Sequence, residues 1–366
     1  MNKIIYLDAA ASYQKNNAVI QAQVDFLTHN YANAGRGICT RAAGVDDMVA
    51  RSRARVAAFM NARTDQIVFT GGTTDGMNMV ANMIPMNATT RLVVSDLDHH
   101  SARLPFAQRV CRRAGRVFVC PLDADFNIDV DNLPIADVMV LTAMSNVMGQ
   151  AQDVAAICAA ARAKNPNVII VVDAAQYVVH DKIDVRAWDC DFVCWSAHKI
   201  GADTGLGILY IKNPEKFMPV KFGGGMVNKV IGDKVVWDMA PDVFEAGTLP
   251  LTQIAGLIPA IDKLEQNRPD LNLIKYMYDE LLKMPKIRIL SGRDAALLTF
   301  VVDGMHALDF GALIGARGVC LRVGNMCASW AMEALGVSGA IRISVGGYNT
   351  MDDAKGAVQY IKDVIK

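Results

Sequence analysis

The chain has 366 residues, of which 37 are Lys or Arg and 37 are Asp or Glu, so its formal charge is zero. That balance argues against a nucleic-acid binder held by phosphate neutralisation, and the length gives room for about two domains of roughly 150 residues each. With 52% hydrophobic and 20% charged residues, the chain can bury enough apolar surface to offset the entropy of ordering, which excludes long disordered tracts.

From residue 42 to 61, Val45, Met48, Val49, Val56, Phe59 and Met60 recur at helical spacing, with Asp46 and Asp47 near the start, and predict an amphipathic helix. After it, short β-rich runs at 67–70, 91–95, 117–120, 138–142, 168–172, 192–195 and 207–211 alternate with helical segments that begin at Thr73, Ser101 and Asp153. Such alternation specifies a largely parallel sheet covered by helices on both faces. The stretch 219–250, with Gly223-Gly-Gly225, Pro241 and Pro250, breaks the rhythm as a long excursion. Beyond it, helices near 252–267 and 270–284, strands near 286–290, 297–302, 318–323 and 340–344, and helices from 306 and 350 predict a small α+β unit.

Eight cysteines stand at 39, 111, 120, 158, 190, 194, 320 and 327, with no Cys-x-x-Cys pair, so no metal centre is expected. Cys190 and Cys194, four apart in an apolar run, are expected on one face of a strand as core packing. The apolar run before Asp8 is too short for a signal peptide, and no run nears the ~18 residues of a membrane span. The expectation is a soluble, cytoplasmic protein with reduced thiols, without a membrane or nucleic-acid partner.

In a doubly wound sheet, ligands bind beyond the carboxyl ends of the strands. Three such ends carry chemistry. Phe69-Thr-Gly-Gly-Thr-Thr-Asp75 runs a strand into a helix start through two glycines, which lets backbone N–H groups approach a phosphate. Ile169-Ile-Val-Val-Asp173 ends an apolar strand in a carboxylate, which is costly to bury unless it faces a cation. Asp191-Phe-Val-Cys-Trp-Ser196-Ala-His198-Lys199 places a lysine where desolvation would lower its pKa and make it a nucleophile toward an aldehyde. A phosphate cradle, a carboxylate for a ring nitrogen and a lysine for an aldehyde together match pyridoxal 5′-phosphate.

At these residues the chain resembles the fold-type I pyridoxal-phosphate enzymes of aminotransferase class V, and within them the short-loop, SufS-like group II cysteine desulfurases and selenocysteine lyases. The resemblance runs through Tyr6-Leu-Asp-Ala-Ala-Ala-Ser12, Arg36-Gly37, Gly72-Thr73-Thr74, Asp98-His99-His100, Ser145-Asn146, Asp173-Ala-Ala-Gln176, Ser196-Ala-His198-Lys199, Gly223-Gly-Gly225, Phe244-Glu-Ala-Gly-Thr248, Arg322-Val-Gly-Asn-Met-Cys327 and the segment from Arg342 to Asn349. It implies an α/β fold: a large domain, 15–250, with a mainly parallel seven-stranded sheet sandwiched by helices, and a small α+β domain made of 1–14 and 251–366.

The same resemblance implies that Lys199 holds the cofactor aldehyde and later moves protons, that Asp173 pairs with the ring nitrogen, and that Gln176 bonds the ring oxygen. His99 would stack on the ring, Asn146 would lie at cofactor and substrate, and Thr73, Thr74, Ser196 and His198 would hold the phosphate. Thr248 would arrive from the partner of a homodimer. Arg342 would grip the substrate carboxylate. Cys327 would take the sulfur of L-cysteine as a persulfide, releasing L-alanine, for a sulfur-acceptor protein of the kind that feeds iron–sulfur cluster assembly. Three departures fall at the substrate mouth: Asn325-Met326 in place of a His pair, Gly35 in place of a His, and Gly201-Ala202-Asp203 in place of aromatic-Gly-Pro. Selenocysteine, another C–S bond or transamination therefore stand as alternative chemistries, and a non-catalytic partner in sulfur trafficking as an alternative of another class.

Overall fold

In a computed structural model of the chain, residues 4–35 and 37–366 are described; Arg36 of the quoted Arg36-Gly37 pair lies outside them, as do residues 1–3. Seven strands form the main sheet in the order Ile67–Thr70, Gly207–Ile211, Phe192–Ser196, Ile169–Asp173, Val138–Thr142, Arg91–Val94, Arg116–Val119. Gly207–Ile211 runs antiparallel to both neighbours, and every other adjacent pair is parallel. The carboxyl ends of the parallel strands therefore share one edge.

Apart from the edge strand Arg116–Val119, the strands are largely apolar on both faces because both faces are covered. Along Phe192–Ser196, Val193 and Trp195 pack with the helices Thr40–Phe59 and Val154–Lys164, while Phe192 and Cys194 pack with Thr73–Met83 and His100–Arg112. Cys190 precedes that strand and packs in the first layer, Cys194 in the second, so the two thiols do not share a face as expected. Period-two alternation applies only inside a strand, and Cys190 is not in one. Cys120 and Cys158 are also buried, whereas Cys39, Cys111, Cys320 and Cys327 are exposed.

A four-stranded antiparallel sheet, in the order Ile287–Ile289, Leu298–Val302, Ala340–Ile343, Arg322–Gly324, packs with the helices Leu271–Leu281, Ala307–Gly315 and Met351–Ile365. The N-terminal strand Ile5–Tyr6 joins this unit by pairing in parallel with Val319–Cys320. Packing puts the division between the units later than the expected boundary after Pro250. The helices Leu251–Ala255 and Leu257–Gln266 bury Leu251, Ile254, Leu257, Ala260, Ile261 and Leu264 in the first layer of the large unit, and the small core begins at Leu273. Apolar periodicity reports that a helix has a buried face, not which layer receives it.

The excursion carries a two-stranded antiparallel hairpin, Val227–Ile231 with Lys234–Trp237. Phe222, Val230, Ile231 and Met239 are exposed there. Phe244 is buried in the second layer, and Trp237 packs partly against that layer. The segment is anchored by a buried ion pair: Arg53 reaches Glu245 with two hydrogen bonds of 2.7 and 2.8 Å, and the Phe69 N–H donates to the same carboxylate at 2.6 Å. Arg53 also donates to Ile67 O and lies 4.5 Å over the Phe69 ring. Among the described residues no helix is long and apolar enough to cross a membrane.

Removing one partner of this pair leaves a buried charge unmatched. Arg53→Leu is expected to destabilise the protein by about 3–5 kcal/mol, read as a lowered denaturation midpoint. A loss below about 1 kcal/mol would mean that Glu245 finds water or another cation.

Candidate active site

The shared carboxyl edge of the parallel strands and the inner side of the small unit enclose a cavity of about 290 Å³. It is lined by Thr73, Thr74, His99, Asn146, Asp173, Gln176, Ser196, His198, Lys199, Cys327 and Arg342. Of the residues expected at the site only Thr248 is elsewhere, in a second cavity of about 690 Å³ with Arg53, Asp46 and Gly225.

Each position follows from its element. Thr73 opens the helix Thr73–Met83 after Gly72, whose φ of +140° a side chain would resist. Gly207 presses against it, since a Cβ there would lie 2.4 Å from Gly72 Cα. The Thr73 N–H donates to Ser196 Oγ at 2.7 Å, and the two hydroxyls are also 2.7 Å apart. Thr74 bonds Ser101 Oγ at 2.7 Å. This cluster of hydroxyls and helix-start N–H groups suits an oxyanion such as phosphate.

His99 caps the helix His100–Arg112, its Nδ1 accepting the Ser101 N–H at 3.1 Å. Burial, reinforced by Lys199, brings its pKa down to about 4, and His198 is brought down to about 4 for the same reasons. Both imidazoles are therefore neutral near pH 7. Asp173 ends its strand with one oxygen accepting the Ala175 N–H at 2.9 Å, and burial pushes its carboxyl up to about 6. Lys199 donates to Ala10 O, and its pKa falls to about 8, first through burial and then through Arg342. Gln176 gives one amide hydrogen to Ala10 O at 2.8 Å while its Oε1 has no partner among the described residues. Asn146 donates to Met326 O at 2.9 Å, and its Oδ1 likewise has no partner among the described residues.

Arg342 is buried, donating to Asn146 O at 2.8 Å and to Asp8 at 3.1 Å, with its Nε unpartnered among the described residues. Burial brings its guanidinium down to about 10, which still leaves it charged at neutral pH. Asp8 also binds Arg322 at 2.6 Å. Asp8 and Arg322 were not singled out by residue type, although both stand in the segments that carry the resemblance. A third group missed in this way is Asp98, buried and bonded by Thr142 Oγ1 at 2.9 Å and by the Ser95 N–H at 2.8 Å; burial pushes its carboxyl up to about 7. Thr142 lines the cavity, so Asp98 reaches it through a hydroxyl.

Cys327 lies between the strand Arg322–Gly324 and the helix Ser329–Ala334. Met326 and Cys327 both hold left-handed backbone, with φ of +53° and +54°. Such conformations cost about 1–3 kcal/mol each for side chains other than glycine and persist where the surroundings over-determine them. Asn325 and Met326, the expected departure, sit in this turn, and the Asn325 Oδ1 accepts the Cys327 N–H at 3.4 Å.

The site offers a nucleophilic amine, an unpaired buried carboxylate, neutral imidazoles, an oxyanion cradle, a cation for a carboxylate and an exposed thiol. The donor set fits pyridoxal 5′-phosphate: Asp173 stands in no ion pair among the described residues, and the orphan amide oxygens of Gln176 and Asn146 border the same space.

The chain is similar over nearly its whole length to known proteins. A "Cysteine desulfurase" of Cronobacter sakazakii is 36% identical over 370 residues, covering 96% of this chain and 90% of the relative. The crystal structure of an Escherichia coli cysteine desulfurase in an S-sulfonic acid form superposes with a TM-score of 0.91 at 32% identity, covering 99% of this chain and 94% of the other. The apo structure of a cysteine desulfurase from Thermococcus onnurineus superposes with a TM-score of 0.94 at 26% identity, covering 100% and 95%. The family model for aminotransferase class V matches residues 5–356, and the chain belongs to the aminotransferase class-V family.

Proposed function

We propose that this chain is a pyridoxal-phosphate-dependent cysteine desulfurase that converts L-cysteine to L-alanine and keeps the sulfur as a persulfide on Cys327. The observation that carries the reading is the placement of the Cys327 thiol in the same cavity as Lys199, Asp173 and Arg342. Pyridoxal 5′-phosphate, when bound, supplies an electron sink that weakens the bond between the substrate's β-carbon and its sulfur. Thr73, Thr74, Ser196 and His198 would hold its phosphate, Asp173 the ring nitrogen, Gln176 the ring oxygen, His99 the ring face and Lys199 the aldehyde carbon.

Arg342 binds the substrate carboxylate, a task to which its unpartnered Nε–H is suited. Lys199, with its lowered pKa, takes a proton from the α-carbon and returns protons to carbon. Cys327 Sγ attacks the substrate sulfur, the electrons of the C–S bond pass to the β-carbon, and that carbon takes up a proton. Neutral His99 and His198 add no competing positive charge beside Lys199. The short, tied-down turn around Cys327 supports the SufS-like, short-loop group and an acceptor protein that comes to the thiol. Four exposed thiols suit a reducing compartment such as the cytoplasm.

We further propose a homodimer in which Thr248 completes the partner's phosphate site. Its separation from the main cavity of its own chain and the exposed apolar hairpin beside it support this. In a mixed dimer of Lys199→Ala and Thr248→Ala chains, the site that keeps its lysine should hold the cofactor like the parent. Binding weakened roughly ten- to a hundredfold would mean that Thr248 serves its own chain.

Cys327→Ser tests the function directly. With L-cysteine and a reductant, alanine and sulfide formation should fall together by roughly 100-fold or more, while cofactor absorbance still responds to cysteine. Turnover like the parent's would reduce Cys327 to a packing residue. A keto acid with ammonia in place of alanine would point to another lyase, and a requirement for an amino acceptor to a transaminase.

The lowered pKa of Lys199 gives a pH prediction. Only the neutral amine attacks the aldehyde, so capture of pyridoxal phosphate by the apoprotein should speed up as pH rises toward 8 and level off above it. A rate that keeps rising to about pH 10 would mean the amine is solvated like an ordinary lysine.

A further inference from the structure

The turn that carries Cys327 is held from outside the binding set. The Cys327 carbonyl accepts the His100 N–H at 2.8 Å. Two residues on, the Ser329 N–H donates to His100 Nε2 at 3.2 Å, and Ser329 Oγ lies 3.1 Å from the same nitrogen. A backbone N–H can only donate, so Nε2 is an acceptor and the neutral ring carries its proton on Nδ1.

Trp330 then meets the His100 ring edge to face, with centroids 5.4 Å apart and planes at 81°. The other partner of Trp330 is Arg103, whose guanidinium carbon lies 4.0 Å from the indole centroid. Arg103 is buried and fixed in turn by Asp96 at 2.9 Å. Asp96, His100 and Arg103 belong to the large unit, whereas Ser329 and Trp330 open the helix that follows the turn. The contacts span the seam beside the cavity.

Two successive left-handed residues hold only where their surroundings leave no easier path. The carbonyl of Cys327 is tied to the His100 backbone N–H, Ser329 and Trp330 meet the His100 imidazole, and the indole is stacked on a cation held by Asp96. We propose that His100 and the Trp330–Arg103 stack are positioning residues for the Cys327 thiol: they keep the strained turn facing the cavity and set how often the thiol meets substrate sulfur. The kinetic part rests on the desulfurase reading, whereas the effect on the thiol's accessibility rests on the geometry alone.

The test uses the cofactor-loaded protein and the variants Trp330→Ala, Trp330→Phe and His100→Phe. Iodoacetamide labelling of Cys327, followed by peptide mass mapping, should be roughly threefold or more faster in Trp330→Ala, because loosening the turn lets the already exposed thiol sample more directions of approach. Trp330→Phe should return it to near the parent rate. His100→Phe keeps a ring against Trp330 but offers Ser329 no acceptor, and should also label faster. With L-cysteine, kcat should fall roughly tenfold in Trp330→Ala with KM within about twofold, as expected when an interaction used after binding is lost. Unchanged labelling in both Trp330→Ala and His100→Phe overturns the proposal, and so does a raised KM at constant kcat. Should Trp330→Ala not fold, His100→Phe against the parent carries the labelling comparison. A parent protein that makes no alanine from cysteine overturns the desulfurase reading, and labelling still decides the positioning role.

Discussion

One carboxylate joins the pieces of this protein at its site. Asp8, just past the N-terminal strand, faces Arg342 on the third strand of the small sheet and Arg322 on its edge, and Arg342 reaches across to Asn146 O of the large unit. Two guanidiniums on one carboxylate leave a net positive charge of about one beside the cavity at neutral pH. A bound carboxylate would neutralise it, so the arrangement that ties the N-terminus to both units supports the role proposed for Arg342. The same arrangement bears on Lys199, whose pKa Arg342 lowers while Asp8 partly restores it.

Burial does most of the electrostatic tuning. It pushes Asp173 and Asp98 up, brings His99, His198 and Lys199 down, and in each case it is the largest influence. The strands supply that burial. Because their runs are apolar on both faces, whatever polar group first follows a strand sits at the boundary between core and cavity, and its protonation reflects that boundary.

This explains what could be read in the sequence. Thr73, Asp173, Ser196 and Lys199 stand immediately after recognisable strands, and the rule that ligands gather at carboxyl ends finds them without knowledge of strand order. His99 and Arg342 entered by resemblance, since a histidine at a helix cap and an arginine on a strand carry no local signature. Asp8 and Arg322 are partners of partners, and no periodicity connects residues over 300 positions apart. The stretch 252–267 reads as helical in the sequence and is placed there with the small unit, whereas Leu251–Ala255 and Leu257–Gln266 pack on the large one, because a buried stripe does not name its neighbour. For Cys190, the error was one of strand extent.

The distribution of cysteines has a chemical meaning for a protein that handles sulfur. Cys120 and Cys158 are pushed up to about 12 by burial, and Cys190 and Cys194 well above the ordinary thiol range. Sulfur exchange needs a thiolate and an approach path, and these four have neither. The interior is therefore insulated: a sulfur atom held on Cys327 cannot be scrambled into the core, and its routes outward pass only through groups that solvent, or a visiting protein, can reach.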